Sequence, residues 1–297
     1  MANDEMMKQI ATKGGFIAAL DQSGGSTPGA LRLYGIPDTA YTGDVEMFEL
    51  MHEMRVRIMT APAFTGDKVI AAILFEQTMD GVVGDTPVPT FLWKDRGVIP
   101  FLKMDKGLLP EADGVSLMKP IGGLDALLER AVKLGVFGTK MRSVVNLPNE
   151  AGIATIVDQQ FEIAAQIAGH GLMPIIEPEV SIKSPDKAGA EAILRSELTK
   201  ALDALSGSPV MLKLTIPEVT DFYAPLIAHP KVARVVALSG GYSQAEACKR
   251  LSANHGMIAS FSRALTEGLT VSMSDEEFDA AIATSIDAIY AASTVKV

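Results

Sequence analysis

Eight short apolar runs, each closed by polar or charged residues, constrain this chain more than any other feature. They lie at 15–21, 71–77, 98–103, 137–142, 173–179, 210–214, 234–239 and 257–263. Their length and aliphatic content predict strands. Several are apolar almost throughout instead of alternating, as expected of parallel strands covered by helices. Helical stripes fall between them: Met47, Leu50, Met51, Met54 and Ile58; Leu124, Leu127, Leu128 and Ala131, closed by Gly135; Ile153, Ile156, Val157, Phe161, Ala164 and Ile167. Ser243 with Glu246, and Ser274 with Glu277, have the spacing of capping boxes at the start of two more helices. Phe278, Ile282, Ile286 and Ile289 line the last one. Strand then helix, about eight times over, predicts an α/β fold of the (β/α)8 TIM-barrel type, one domain spanning 1–297. A doubly wound sheet is the rival, but no Gly-x-Gly-x-x-Gly follows the first run. The segment 79–97, with Pro87, Pro89 and Trp93, reads as a long loop near the barrel mouth, ordered or acting as a flap.

Bulk properties narrow the function. The net charge of −10 argues against non-specific nucleic-acid binding, which draws its affinity from basic residues on phosphates. A local cationic cluster still suits a small anionic substrate. Cys248 is the single cysteine, so no intrachain disulfide forms, which fits a reducing cytoplasm. Residues 1–15 mix acids and bases without a signal-peptide core, and the apolar stretch 69–75 is too short for a bilayer. A cytoplasmic protein with no membrane partner is expected. A homo-oligomer stays open, because no interface signature is visible.

The chemistry sits at the strand ends. Lys213 lies inside Val210-Met211-Leu212-Lys213-Leu214, where an ammonium is costly unless the site holds it or strips its proton. One reading is a nucleophilic amine that forms an imine with a ketone; the other is a lysine paired with a carboxylate. A nucleophile must be neutral, and Lys140, ending another strand, is a candidate for the nearby cation that favours this. Glu177 and Glu179 flank Pro178 and share a face, as do Lys140 and Arg142, and Lys103 and Asp105. So many cations at one end suit a phosphorylated substrate, or else a solvated rim. Ser239-Gly240-Gly241 precedes the Ser243 cap, and Arg263 follows the eighth run, the two loops that hold a phosphate in many barrels. Asp21, with Ser23, Gly24, Gly25 and Ser26, offers a carboxylate and further anion-binding groups, or simply a turn. His52, His170, His229 and His255 all avoid strand ends, which speaks against a zinc site.

Eight pieces in order resemble class I fructose-bisphosphate aldolase. They are Ala18-Ala19-Leu20-Asp21-Gln22-Ser23, Ile73-Leu74-Phe75, Lys103-Met104-Asp105-Lys106-Gly107, Thr139-Lys140-Met141-Arg142, Pro174-Ile175-Ile176-Glu177-Pro178-Glu179, Met211-Leu212-Lys213, Leu238-Ser239-Gly240-Gly241 and Ser260-Phe261-Ser262-Arg263-Ala264-Leu265. The resemblance implies a (β/α)8 barrel that cleaves fructose 1,6-bisphosphate to dihydroxyacetone phosphate and glyceraldehyde 3-phosphate, without metal or other cofactor. It implies Lys213 as the imine-forming lysine, Glu177 as the acid/base that dehydrates the carbinolamine, and Asp21 as acceptor of the C4-hydroxyl proton. Lys140 would hold Asp21 and the sugar hydroxyls. Ser239, Gly240, Gly241 and Arg263 would bind the C1 phosphate, and Ser23, Ser26 and Lys103 the C6 phosphate. Glu179 and Arg142 would support them from behind. The chain departs from the animal and plant enzymes at Gln22 (glutamate there), Met141 (tryptophan) and Ser262 (glycine), and it stops at Thr294-Val295-Lys296-Val297 without their tyrosine-tipped extension. The resemblance therefore leaves open what protonates the enamine. The alternatives are another Schiff-base barrel such as a transaldolase or monophosphate aldolase, a metal-dependent barrel enzyme, and a barrel that binds phosphosugars without turnover.

Overall fold

The structure, a computed structural model, describes residues 2–297. Eight parallel strands carry the fold: β1 Phe16–Leu20, β2 Val69–Leu74, β3 Ile99–Lys103, β4 Gly138–Val145, β5 Met173–Val180, β6 Val210–Thr215, β7 Val232–Leu238 and β8 Ile258–Phe261. They pair in the order β3-β2-β1-β8-β7-β6-β5-β4, and β3 pairs with β4 to close the ring, Phe101 opposite Gly138 and Lys103 opposite Lys140. This is a closed (β/α)8 TIM barrel, as the alternation of runs and stripes predicts, and closure rules out the doubly wound sheet.

Side-chain alternation splits the apolar residues into two cores. One lies between strands and helices and takes Ala18, Ala72, Leu102, Met141, Ile176 and Leu212 from the strands' outer faces. The other fills the barrel and takes Ile17, Ile73, Phe101, Ile175, Met211 and Val236 from their inner faces. Phe101 is its largest knob. Its ring meets Phe137 edge-on at 5.5 Å, and it fits only because Gly138 is bare: a Cβ there would lie 2.6 Å from the ring and 2.2 Å from the Met173 carbonyl oxygen. Truncating such an aromatic to alanine costs about 3–5 kcal/mol.

The helical stripes are where the sequence puts them. Met47, Met51, Met54 and Ile58 are buried in the helix Gly43–Thr60, and Leu124, Leu127, Leu128 and Ala131 in Leu124–Lys133. Ser274 and Glu277 form a full capping box, whereas Ser243 caps its helix alone because Glu246 turns to Arg250 instead. One reading needs correction. Segment 79–97 is neither loop nor flap at the mouth. It is a small hairpin, Val82–Val83 against Thr86–Pro87, followed by the helix Val88–Arg96, with Pro89 in its first turn, where a missing N–H costs nothing. Trp93 of this helix packs against the interior core. The start of the chain is a helix, Ala2–Thr12, whose Met6 and Ile10 join the interior core, while Gln9 Nε2 donates to the carbonyls of Ile70 and Gly97, both at 2.8 Å.

After β3 the chain makes an antiparallel excursion before the next helix. Leu108 bridges Met118, Ala112 bridges Val115, and Val115–Ser116 lies against the end of β4. Gln159 fixes it: its amide oxygen accepts from the Met118 N–H at 3.0 Å and its amide nitrogen donates to the Met118 carbonyl at 3.1 Å.

Candidate active site

On the inner faces the two-residue period runs from apolar to charged as each strand rises. Phe101 gives way to Lys103, Ile175 to Glu177 and Glu179, Met211 to Lys213, and Gly138 to Lys140 and Arg142. The same alternation that packs the barrel therefore delivers charges to its C-terminal mouth. There a cavity of about 940 Å³ opens, the size of a small-molecule site. It is lined by all thirteen residues singled out from the sequence: Asp21, Ser23, Ser26, Lys103, Lys140, Arg142, Glu177, Glu179, Lys213, Ser239, Gly240, Gly241 and Arg263.

Its floor is a buried chain of charges. Lys140 Nζ stands 2.6 Å from Asp21 Oδ2, 3.0 Å from Glu177 Oε2 and 3.9 Å from Asp105 Oδ2. Glu177 turns its other oxygen to Lys213 Nζ, also at 3.0 Å. Lys140, Glu177 and Lys213 are only 3%, 3% and 4% exposed. Gln160 Oε1 accepts from the Glu177 N–H at 2.9 Å and fixes the backbone of β5 at that point.

Burial alone would push the Asp21 carboxyl up, but the ammonium groups of Lys140, Lys213 and Lys103 outweigh it and hold Asp21 well below the usual carboxylate range. Burial likewise favours a neutral Lys140, and here Asp21, Glu177 and Asp105 win, keeping it protonated above the ordinary lysine range. At neutral pH the resting Asp21 is thus a carboxylate and Lys140 a cation. Lys103 is shifted down, first by burial and then by Lys140, against the pull of Asp105.

The rim differs in detail from the sequence reading. Lys103 does not present a free ammonium: Nζ donates to Asp105 Oδ1 at 2.7 Å and to the Asp105 carbonyl at 2.8 Å. Ser26 Oγ donates to the Ser23 carbonyl at 2.9 Å and closes a turn. Arg142 Nη1 pairs with Glu179 Oε2 at 2.9 Å. On the opposite side, Gly240 and Gly241 have φ of 61° and 115°, a region that favours glycine, and the Arg263 guanidinium leans over Gly241. The helix capped by Ser243 begins directly after them.

Several cavity residues were not picked out from the sequence. Lys106, Lys119, Phe48 and Phe75 line the wall, the two rings stacked at 5.4 Å. Arg55 lies buried behind the first loop, donating to Thr78 Oγ1 at 2.7 Å and to the Gln22 carbonyl at 2.5 Å, and burial pushes it down to about 10. Its signal was a cation between Met54 and Ile58 on an apolar helix face. The histidines serve elsewhere, His170, His229 and His255 beside Asp125, Asp203 and Asp221, and His52 on the Val82 carbonyl.

A barrel whose mouth holds a buried lysine joined by one glutamate to a second, protonated lysine has the parts of a Schiff-base lyase. Comparison with known proteins narrows this to one family. The family model for class I fructose-bisphosphate aldolase, among the glycolytic enzymes, matches residues 4–220. The chain is 58% identical to the class 1 fructose-bisphosphate aldolase of Synechocystis over 98% of its own length and 97% of that protein's. Identity is 55% to the Porphyromonas gingivalis enzyme of the same name and 52% to that of Clostridium acetobutylicum, covering 98% of this chain and 99% of each relative. The chain belongs to the class I fructose-bisphosphate aldolases, which are metal-independent lyases. In fold it is similar to the Plasmodium falciparum aldolase, solved in complex with TRAP and a small-molecule inhibitor, with a TM-score of 0.78 at 22% identity, covering 100% of this chain and 96% of that one.

Proposed function

We propose that this chain cleaves fructose 1,6-bisphosphate reversibly, with Lys213 as the imine-forming amine. Lys213 passes its proton to Glu177, and the freed amine adds to the C2 carbonyl, a nitrogen proton moving to the oxygen to give the carbinolamine. Glu177 donates a proton to the carbinolamine hydroxyl, water leaves, and a protonated imine remains. Asp21 accepts the proton of the C4 hydroxyl. The C3–C4 bond then breaks, its electron pair moves into the imine to give an enamine, and glyceraldehyde 3-phosphate departs. The enamine takes a proton at C3, and water attacks the imine to release dihydroxyacetone phosphate and regenerate the amine.

The observation that carries this reading is Glu177 bridging Lys213 and Lys140 at 3.0 Å each on the cavity floor. A proton can pass between Glu177 and the Lys213 nitrogen without either group moving, while Lys140 keeps the carboxylate oriented. Lys140 also holds Asp21 beside the sugar hydroxyls. Ser239, Gly240, Gly241 and Arg263 bind the C1 phosphate; Ser23 and Ser26 lie toward C6, with Lys103 behind them, and Glu179 and Arg142 support the wall.

The test is borohydride reduction in the presence of dihydroxyacetone phosphate, followed by peptide mass analysis. A stable adduct on Lys213 is expected. An adduct on Lys140 or Lys103 would overturn the role assignments, and no adduct anywhere would overturn the mechanism.

We further read the chain as one folding unit, cytoplasmic and able to form a homo-oligomer. No helix among the described residues is long and apolar enough to cross a membrane. A single calorimetric transition, recovery in the cytosolic fraction and a light-scattering mass above 31.5 kDa are the expected results.

A further inference from the structure

Seven cations line the cavity, and five of them face a carboxylate. Lys103 has Asp105 and Arg142 has Glu179; Lys140 and Lys213 share Glu177. Lys106 joins Arg130 on Glu76, and Asp80 supplies the second negative charge to that pair. Of these seven, only Lys119 and Arg263 form no ion pair among the described residues. They stand at distant points of the rim. Arg263 follows β8, Lys119 belongs to the excursion after β3, and β1 and β2 separate those two strands in the ring.

We infer that Lys119 binds the second phosphate of the substrate, the one on C6, and thereby sets the preference for a ketose bisphosphate over a ketose 1-phosphate. This rests on the reading of Lys213 given above. The C2 carbon must sit on Lys213 of β6. The C1 phosphate is one carbon away and therefore stays near β6, on the β7 and β8 loops that carry Ser239 and Arg263. The rest of the sugar must extend the other way, across Asp21 and Lys140, toward the side of the mouth that carries Lys119.

The groups already assigned to C6 leave a charge to be supplied. Lys103 is neutralised by Asp105, and Ser26 is committed to its own turn. A phosphate dianion there meets one cation without a carboxylate, Lys119. The placement is built into the fold. The Lys119 N–H donates to the Gly107 carbonyl at 3.0 Å, and the residue before it is held through both N–H and C=O by Gln159. The side chain is exposed, but it extends from a fixed point on the cavity wall.

The experiment compares wild type with Lys119→Met and Lys119→Arg on fructose 1,6-bisphosphate and fructose 1-phosphate. A lost charge-assisted contact to the C6 phosphate lowers the ratio of kcat/KM for the bisphosphate over the monophosphate at least about tenfold in Lys119→Met, with the change lying in KM. Lys119→Arg restores the ratio to within about threefold, because a guanidinium also pairs with phosphate. A ratio unchanged in Lys119→Met, or a loss lying in kcat for both substrates, overturns the assignment while leaving the Lys213 chemistry intact. Wild-type protein that does not cleave the bisphosphate overturns both. The thermal midpoints of all three proteins are measured alongside and should agree, so a folding defect is not mistaken for lost binding.

Discussion

This chain buries lysines against glutamates in two places, and they are built differently. Beside the helix Lys187–Ala204, Lys187 Nζ donates to Glu191 Oε1 at 2.5 Å and to the Ile216 carbonyl at 2.8 Å, and Glu191 Oε2 accepts from the Glu218 N–H at 3.0 Å. Each carboxylate oxygen has its donor, and the pair ties a helix to the segment after β6. At the mouth, Glu177 Oε2 and Asp105 Oδ2 face Lys140 but accept no hydrogen bond of good geometry, and Ser260 Oγ, also on the cavity wall, has no partner among the described residues. Both places incur the cost of desolvating charge. The first gives both carboxylate oxygens a donor within the fold; the second leaves carboxylate oxygens and a hydroxyl without one. Unspent capacity in a concave, charged site separates a working lysine from a structural one better than burial does.

Removing Lys213 gives the sharpest break. Lys213→Met deletes the only proposed imine former, so turnover should fall by on the order of 10⁴-fold or more. The fold should survive, because Glu177 keeps Lys140 at 3.0 Å when Lys213 is gone. Turnover under saturating substrate and a thermal melt, measured together, check this. A melt lowered by more than a few degrees would place Lys213 with the structural lysine.

The converse comes next in size. Glu191→Ala removes the acceptor of both Lys187 and the Glu218 N–H and leaves a small cavity, a loss of about 3 kcal/mol. Urea unfolding should report it, while kcat at 25 °C stays within about threefold of wild type. Loss of turnover without loss of stability would mean that the segment after β6 answers to the site more closely than the geometry implies.

The contrast also explains what the sequence revealed. Lys213, Lys140 and Glu177 were legible because they continue a two-residue alternation that is apolar below them, so a charge in phase with Met211 or Ile175 must reach the mouth. Strand ends were legible to within a few residues: 76–77 read as strand, yet Glu76 opens a helical turn at Glu76–Met79. The first helix was hidden because acids and bases around Met6 and Ile10 blur a stripe of two. The helix Val88–Arg96 was hidden because Pro87 and Pro89 read as breakers when they stand at its entrance. Lys119 had no period to follow. It reaches the cavity because its neighbour Met118 is held by Gln159, forty-one residues further along the chain, a contact that no local pattern records.

Arg55 tests how far the open site depends on closed support. Buried, it spans the Thr78 hydroxyl and the Gln22 carbonyl, and so holds the loop that starts at Asp21. Arg55→Lys keeps the charge but lacks the fork to reach both. Asp21 should then sit less well against the C4 hydroxyl, and kcat should fall about tenfold with KM within twofold, since a displaced catalytic group costs rate more than binding. Equal shifts in both constants would assign Arg55 to general stability instead.

The smallest effects are those of pH, and the two places should differ in sign. Asp21 is held below its ordinary value of 3.8, so its ion pairs stabilise the fold above that pH and are lost as pH falls through the folded-state value. Glu191 is raised above its ordinary 4.5, chiefly by burial; the folded state binds the proton more tightly, and acidification from neutral down to 4.5 adds stability. Against Asp21→Asn, wild type should therefore lose ground as pH drops from 5 to 2.5. Against Glu191→Gln, it should gain ground between 7 and 4.5. Urea melts across this range read both, and a common sign would mean that the open and the closed lysine sites are not electrostatically distinct.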